Sequence, residues 1–306
     1  MTGSGVLVVD KAAGVTSFDA VALVRRRLRI KRVGHAGTLD PAATGVLPVL
    51  LGEATKLMPY LADQDKEYRA GVRLGLTTDT LDTSGRVLTT AAVEGVTRER
   101  VEQVCRGLVG RIRQVPPMYS AVRHGGRRLY ELARQGLEVE RESREVQVHA
   151  IEVEGVEEAS VRLRVVCGKG TYVRVLAADI GRALGTGAAI ERLVRTRVGP
   201  FRLEEAVDWA TLREASAESL WARVRPPESA IADWPALRLD ARAAQRFLHG
   251  QAVDLAPAGA ADGSPVRVHA MDGRLLGVGE VSTGATRVRP VRVLNADRPG
   301  TSVVSA

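Results

Sequence analysis

The sequence of 306 residues contains only two cysteines and no long apolar run, and each absence removes a class of protein. Cys105 and Cys167 are too few for a disulfide framework or a cysteine-based zinc site. The longest apolar run covers residues 46–51, far below the roughly 18 residues that a membrane-spanning helix needs. The N-terminal residues lack the charged and then apolar pattern of a secretion signal, so we expect a cytoplasmic protein with no membrane partner.

The motifs of common cofactor enzymes are also missing. The chain has no GxxxxGK followed by Ser or Thr, no HExxH, no GxSxG and no GxGxxG. ATP hydrolysis, zinc proteolysis and nicotinamide redox chemistry therefore lose their usual signatures. We expect a protein that uses no metal and no organic cofactor.

Acidic residues are outnumbered, and lysine is scarce among the basic ones. Lys and Arg total 44 against 36 Asp and Glu, which gives a net charge of +8, and only five of the 44 are lysines. Arginine forms forked hydrogen bonds to phosphate, so the excess favours a polyanionic partner. A GC-rich genome is an alternative explanation for the Arg-to-Lys ratio, but it does not explain the net charge.

The length corresponds to about two domains. Strands are expected at residues 6–9, 66–76, 146–153 and 161–166, the last two as an antiparallel pair. Helices are expected after a Thr16–Asp19 capping box, over residues 97–108 and over residues 172–184, where Gly185 ends the helix. A basic insertion covers residues 119–142 and contains a short helix near residues 130–134.

The composition changes at residues 225–227, where we expect a linker. Beyond it, Asp240 can cap a short helix, and strands are expected at residues 265–270, 274–281 and 287–294. These patterns predict an α+β fold: a mixed, largely antiparallel sheet with flanking helices, followed by a small β-rich domain.

A run of basic residues closes the first predicted helix. It contains no acid and consists of Arg25, Arg26, Arg27, Arg29, Lys31 and Arg32. Such a run is often only a solvated helix face. Because its density exceeds what solubility requires, we expect it to contact phosphates.

Asp40 lies in a predicted loop, residues 34–48, that is rich in Gly, Thr and Pro. An Asp followed by Pro commonly caps a helix, so a structural role is one interpretation. The alternative is a ligand-binding loop, since its glycines permit close approach of a ligand to the backbone and Pro41 restricts the conformation of Asp40. His35 belongs to the same loop and could enter a stack of nucleic-acid bases.

The loop sequence GHAGTLDPAATGVLP resembles the signature of TruB-type pseudouridine synthases, which modify the uridine at position 55 of tRNA. The resemblance continues from about residue 6 to residue 202, through LGEATK, KEYRAGVRLGLTTDTLD, PPMYSA, RRLYELARQG and KGTYVR. The segment RFLHGQAV, residues 246–253, more weakly resembles the PUA-like RNA-binding module that follows the catalytic domain in this family.

The resemblance implies a pseudouridine synthase fold in residues 1–228, with an RNA-gripping insertion at about 119–142, and a PUA-like domain in residues 232–306. It implies isomerisation of uridine to pseudouridine in the T-loop by base flipping. The expected partner is the T-arm of tRNA, the expected state is a monomer, and neither a metal nor a cofactor is implied.

The resemblance also assigns roles to individual residues. Asp40 matches the catalytic aspartate, Tyr68 a tyrosine that stacks on uracil and handles protons, and Arg174 an arginine that pairs with the aspartate. Tyr172 and Leu193 match residues of the uracil pocket, and His35 matches the histidine that fills the space of the flipped base. We expect contacts to the RNA backbone from Arg25, Arg26, Arg29, Lys31, Arg32, Arg123, Arg127 and Arg128.

Several alternatives stay open at this stage. Tyr68 and Tyr172 could be ordinary core residues, and Arg174 could pair with Asp179 on its own helix. The chain could be an RNA-binding or RNA-folding protein without catalysis, or a synthase that acts on other RNAs. For the chemistry, Asp40 could attack C1′, attack C6 or act through a glycal.

Overall fold

A computed structural model describes residues 3–254, 261–282 and 286–294, so part of the expected 232–306 domain lies outside the described residues. The described strands, in chain order, are β1 (Gly5–Lys11), β2 (Val33–His35), β3 (Thr44–Leu51), β4 (Lys66–Leu74), β5 (Leu76–Thr78), β6 (Val87–Thr90), β7 (Gly110–Gln114), β8 (Arg123–His124), β9 (Arg127–Arg128), β10 (Arg144–Glu157), β11 (Ser160–Cys167), β12 (Ala188–Val198), β13 (Phe201–Arg202), β14 (Ala236–Leu239), β15 (Val253–Asp254), β16 (Pro265–Ala270), β17 (Leu275–Ser282) and β18 (Arg287–Val293).

The described helices are also numbered in chain order. They are α1 (Ser17–Leu28), α2 (Met58–Asp63), α3 (Arg98–Gly107), α4 (Leu129–Ala133), α5 (Val173–Leu184), α6 (Trp209–Glu214), α7 (Ala217–Trp221) and α8 (Ala241–Leu248). Short 3-10 segments cover Gly52–Leu57, Leu203–Glu205 and Pro227–Ile231. In the part of the chain that the structure describes, no helix combines the length and apolar character needed to cross a membrane.

A nine-stranded sheet forms the larger part of the fold. Its strand order is β1–β3–β12–β4–β11–β10–β7, with β2 added beside β3 and β13 beside β12. All neighbouring pairs are antiparallel except β3 with β12, which is parallel. The predicted α+β class with a mixed, largely antiparallel sheet is confirmed.

One face of this sheet packs against α3 and α5. Along β4 the side chains of Tyr68, Ala70, Val72 and Leu74 are buried, whereas Arg69 is exposed, as the period of two predicts. Burial of each large aliphatic side chain in this cluster stabilises the fold by about 1.5–3 kcal/mol. Helix α1 covers the neighbouring strands β1 and β3 in a second cluster.

Several helix boundaries agree with the sequence. Thr16 and Asp19 form the predicted capping box at α1, and Gly185 ends α5 with a φ of 81°. Thr97 caps α3, and Asp240 caps α8 by accepting a hydrogen bond from the backbone N of Ala243 at 2.8 Å. In each case a short polar side chain or a glycine satisfies the end of the helix.

Two predictions about the main sheet were wrong, and one of its strands was not predicted. Residues 44–48 of the expected loop belong to β3, because the apolar residues that follow Gly45 enter the core. The strand expected over 66–76 ends at Leu74, since Gly75 has a φ of 85° and Leu76 starts the separate β5–β6 hairpin. Central strand β12 was not predicted, because Glu191, Arg192 and Arg195 interrupt its apolar pattern.

A second, five-stranded sheet follows in the order β14–β16–β17–β18–β15. The expected linker is not a free segment: Arg225 exchanges two backbone hydrogen bonds of 2.9 Å with Val6, and Ile231 is fully buried. Leu275 and Val278 of β17 join the same apolar cluster as Val6. The two sheets therefore share one part of the core.

Candidate active site

A cavity of about 360 Å³ opens where the loop before β3 meets β4, β12, α5 and the start of the insertion. Its volume is in the range of pockets that bind small molecules or single nucleotides. The side chains expected to carry the chemistry meet here: Asp40, Tyr68, Tyr172, Arg174 and Leu193 all line it.

Asp40 and Arg174 form an ion pair in this cavity. Nε of Arg174 lies 2.8 Å from Oδ2 of Asp40, although the Nε–H direction does not give an aligned hydrogen bond. The Asp40 side chain keeps 38% of its surface exposed, whereas that of Arg174 keeps 5%. Asp179 is paired instead with Arg182 at 2.7 Å, so the alternative pairing on the helix is not formed.

The other guanidinium nitrogens of Arg174 bind the backbone of two further segments. Nη1 donates to the carbonyl of Thr80 at 2.6 Å, and Nη2 donates to the carbonyl of Tyr119 at 2.8 Å. Tyr119 is the first residue of the insertion, and Thr80 follows β5. One buried cation thus connects the carboxylate with two segments at the rim of the cavity.

Asp40 does not cap a helix. Pro41 and Ala42 form a turn, which Ala43 closes by donating its backbone N–H to the Asp40 carbonyl at 3.1 Å, and β3 begins at Thr44. The carboxylate is therefore free of a helical capping role and faces the cavity. This result removes the main structural alternative for Asp40.

Two buried polar side chains hold the segment on either side of Asp40. Ser17, at the start of α1, accepts a hydrogen bond from the backbone N of Leu39 at 2.9 Å. Lys11 is fully buried and donates from Nζ to the carbonyls of Val15, at 2.8 Å, and Pro41, at 3.2 Å. Burial lowers the pKa of Lys11 to about 8, with the nearby Asp40 acting in the opposite direction.

Arg195, on β12, supports the loop that contains Asp40 through hydrogen bonds to its backbone. It is 1% exposed, and it donates from Nε to the carbonyl of Val46 at 2.8 Å and from Nη2 to that of Gly37 at 3.0 Å. Gly45 has a φ of 103°, and a Cβ there would lie 2.2 Å from the Arg195 carbonyl oxygen. The loop can approach β12 this closely only with glycine at position 45.

Tyr68 and Tyr172 provide aromatic walls, and Leu193 adds an apolar one. Tyr68 is 9% exposed, and burial raises the pKa of its hydroxyl while the Arg195 guanidinium acts in the opposite direction. Burial likewise raises the pKa of Tyr172. Its backbone is fixed by Gln114, whose Oε1 accepts from the Tyr172 N at 2.9 Å.

His35 lies beside this cavity rather than in its lining. It ends β2 opposite Val49, and its buried Nδ1 has no hydrogen-bond partner among the described residues. Burial lowers the pKa of the His35 imidazole, and the cations Arg195 and Arg128 lower it further.

The basic run lies at the C-terminal end of α1, whereas the arginines of the insertion lie in the β8–β9 hairpin. The N-terminus of α1 touches Leu39, whereas the exposed residues Arg25 and Arg26 lie in the last turn of this helix and Arg29 and Lys31 follow it. Along the helix axis, Arg25 is about 12 Å and Arg29 about 18 Å from Ser17. Arg32 is exposed but pairs with Glu53 at 2.8 Å. In the β8–β9 hairpin of the insertion, Arg123 and Arg127 are exposed and Arg128 is half-buried.

Three buried basic residues at the site, Lys11, Lys66 and Arg195, were not predicted from the sequence. Lys66 could have been found, because it precedes Tyr68 by two residues and so faces the core. Arg195 could not, because its strand was not predicted. Among the described residues, no three His, Cys, Asp or Glu side chains are grouped as metal ligands would be.

Comparison with known proteins assigns the chain to a family. Residues 25–173 match the model of the N-terminal domain of TruB family pseudouridylate synthases, and residues 174–232 and 235–294 match the C-terminal domain models of the same synthases. The chain is 47% identical over 291 residues to tRNA pseudouridine synthase B of Aromatoleum aromaticum, covering 95% of this chain and 92% of that protein. The chain belongs to the TruB family of pseudouridine synthases.

Further relatives extend this assignment. A second TruB family protein, tRNA pseudouridine synthase B of Chromohalobacter salexigens, is 45% identical and covers 95% of this chain and 94% of its own. Among solved structures, a Cbf5-Nop10-Gar1 complex contains a chain that is 29% identical, with a TM-score of 0.73, covering 95% of this chain and 85% of its own. This TruB family chain is thus an isomerase that converts uridine to pseudouridine, built on the same fold.

Proposed function

We propose that this pseudouridine synthase acts on tRNA, at the uridine at position 55 of the T-loop. The observation that carries the proposal is the Asp40–Arg174 ion pair in a cavity walled by two tyrosines. The names of the relatives, tRNA pseudouridine synthase B, support tRNA as the substrate. The charge of the whole chain, +8, supports a polyanionic partner.

In this proposal Asp40 supplies the carboxylate that the reaction needs. Pseudouridine formation breaks the bond between N1 and C1′, turns the uracil and joins C5 to C1′; a proton leaves C5 and N1 ends protonated. A carboxylate can act as a nucleophile or stabilise a cationic sugar. The contact with Arg174 orients the carboxylate for each of three routes: attack on C1′, attack on C6, or assistance to the formation of a glycal.

The aromatic walls retain the detached base. Tyr68 and Tyr172 offer flat surfaces on which uracil stacks, at about 1–3 kcal/mol per base. Tyr68 lines the cavity and carries a hydroxyl, which in this proposal handles the proton that leaves C5. A base inside a folded RNA loop must be flipped out to reach this pocket, at a cost of a few kcal/mol. His35, beside the cavity, fills the space that the base leaves.

Contacts to the RNA backbone offset the cost of flipping. The exposed arginines Arg123 and Arg127, with Arg128, place positive charge at the rim. Arg25, Arg26, Arg29, Lys31 and Arg32 extend the contact surface by a helix length, with Arg32 exchanging its Glu53 partner for phosphate. Residues 1–228 form the catalytic domain in this account, and residues 232–306 form a PUA-like RNA-binding domain. The enzyme acts as a monomer in the cytoplasm.

The test is to map pseudouridine in tRNA by mass spectrometry and by carbodiimide modification. Unmodified tRNA incubated with the purified protein is expected to gain pseudouridine at position 55 alone, and tRNA from cells lacking the protein is expected to lack it there. Pseudouridine formed at another site, or in another RNA, would show that the substrate differs from the one proposed. Binding of tRNA with no pseudouridine formed would favour an RNA-folding protein without catalysis.

A further inference from the structure

Two buried cations, Lys66 and Arg195, line the active-site cavity. Lys66 is 6% exposed and Arg195 is 1% exposed. Both pass the same piece of backbone, because a Cβ on Gly37 would lie 3.4 Å from Nη1 of Arg195 and 3.9 Å from Cε of Lys66. Tyr68 is paired with Arg195 across β4 and β12, so the two cations flank the tyrosine of the pocket.

Among the described residues, no carboxylate forms an ion pair with Lys66 or Arg195. The acids nearest to Lys66 are engaged elsewhere: Asp63 binds Lys169 at 2.8 Å, and Asp65 lies 3.0 Å from Nε2 of His149. Nζ of Lys66 donates to two backbone carbonyls, those of Ala62 and Gln64, which leaves one of its three N–H groups without an acceptor in the described part of the chain.

Such an arrangement is costly for a folded protein. A buried charge loses its hydration, and a like charge nearby adds repulsion. An anion that enters the cavity between Lys66 and Arg195 would stabilise both charges. The reaction itself produces one, because the electron pair of the N1–C1′ bond passes to the uracil ring and is delocalised over its oxygens. Addition of a carboxylate to C6 likewise places negative charge on those oxygens.

We propose that Lys66, supported by Arg195, stabilises the negative charge that develops on the uracil, and is therefore a further catalytic residue. This inference rests on the proposed function. The N1–C1′ bond breaks with its electron pair on uracil, the new C5–C1′ bond uses an electron pair of the ring, and the proton from C5 balances the charge. Donors placed in a dry site before the charge develops are typically worth about 10²–10³ in rate.

The test compares Lys66→Met with Lys66→Arg in single-turnover pseudouridine formation at saturating enzyme. Methionine is an unbranched side chain without charge, and arginine restores the charge. We expect Lys66→Met to lower the rate about 10²-fold, with tRNA affinity unchanged, and Lys66→Arg to recover most of the loss. The matched control is Arg69→Met, which removes one cation from the outward face of the same strand and is expected to keep the wild-type rate.

The pH dependence separates an electrostatic role from a merely structural one. Burial lowers the pKa of Lys66 to about 8, and Arg195 lowers it too, whereas Cys167, Asp63 and Asp65 act in the opposite direction. Lys66 is charged below that pH and neutral above it. The ratio of the wild-type rate to the Lys66→Met rate is therefore expected to fall about ten-fold between pH 7 and pH 9, as the wild-type lysine loses its proton. Lys11 has a pKa of about 8 as well, but it is present in both the wild type and the Lys66→Met variant, so its effect cancels in the ratio of their rates.

Each other outcome overturns the proposal. An unchanged rate in Lys66→Met shows that uracil needs no cation here. A ratio that stays constant with pH, with a lower melting temperature, assigns Lys66 to the fold. Weaker binding with a flatter salt dependence and a normal rate at saturation assigns Lys66 to an RNA phosphate. If wild-type enzyme forms no pseudouridine in tRNA, the proposed function itself fails, which is distinguishable from all three.

Discussion

The guanidinium of Arg174 lies 2.8 Å from the carboxylate of Asp40 and simultaneously binds the carbonyl of Tyr119, the residue at which the insertion begins. The arginine comes from the first turn of α5, whereas the aspartate comes from the turn before β3. The position of the carboxylate is therefore linked to the segment that is proposed to hold the RNA. Because Arg174 is buried, no water can replace these contacts without cost.

Arg174→Met is expected to reduce both activity and stability. It leaves Asp40 without its counterion and leaves the partly buried Thr80 and Tyr119 carbonyls without the Arg174 donors. A fully buried group left unsatisfied costs about 1–3 kcal/mol, which is the upper bound for each carbonyl. Arg174→Lys keeps the charge but cannot reach three acceptors, so an intermediate effect is expected. Single-turnover pseudouridine formation and thermal melting measure the two effects. A Met variant that matches the wild type in both would show that the ion pair is incidental.

Tyr68→Phe separates proton transfer from stacking. Phenylalanine keeps the ring but removes the hydroxyl, so turnover is expected to fall roughly 10²-fold, the usual size of a general acid–base contribution. Binding and melting temperature are expected to stay near wild type, because the buried ring is unchanged. The measurement is a single-turnover rate with parallel melts.

Tyr68→Ala completes this comparison. If Tyr68 only stacks, Phe is nearly silent and Ala weakens binding and turnover together. If it is only core, Ala costs about 3–5 kcal/mol of stability, and activity is lost through unfolding. A Phe variant with the wild-type single-turnover rate contradicts a role for the hydroxyl.

Changing Arg25, Arg26 and Arg29 together to Ala is expected to weaken tRNA binding and flatten its salt dependence. Each lost phosphate contact reduces the magnitude of the slope of log binding constant against log salt concentration by roughly 0.7–0.9. A matched control changes the exposed Arg69, Arg73 and Arg162, which share the outward face of β4 and β11. Binding titrations at several salt concentrations measure both variants. If both variants show the same salt dependence, the basic run at the end of α1 is a solvated helix face that does not contact phosphate.

The sequence predicts the family and the residues of the cavity far better than it predicts the geometry that joins them. Asp40, Tyr68 and Arg174 stand in long ordered motifs, so the site can be anticipated, and the alternation of β4 places Tyr68 inward. What pattern alone cannot supply is the partner of a buried cation. Arg195 lies in β12, where charged residues mask the strand, and its function of supporting the loop appears only once β12 is seen beside β3.

The domain boundary illustrates the same limit. The Pro-containing segment at 225–227 has the composition of a linker, yet its backbone pairs with β1 through Arg225 and Val6. Composition indicates how readily a segment bends, whereas its packing depends here on the long-range backbone pairing of Arg225 with Val6, which no local window contains.

The central claim is that the carboxylate of Asp40 performs the chemistry, and Asp40→Asn tests it most directly. Asparagine keeps the volume of the side chain but is a poor nucleophile and carries no charge. The measurement is tritium release from tRNA labelled at C5 of its uridines, with tRNA binding and thermal melting followed in parallel. The account predicts that tritium release is abolished while binding and folding persist. Release at a rate near that of the wild type would contradict it.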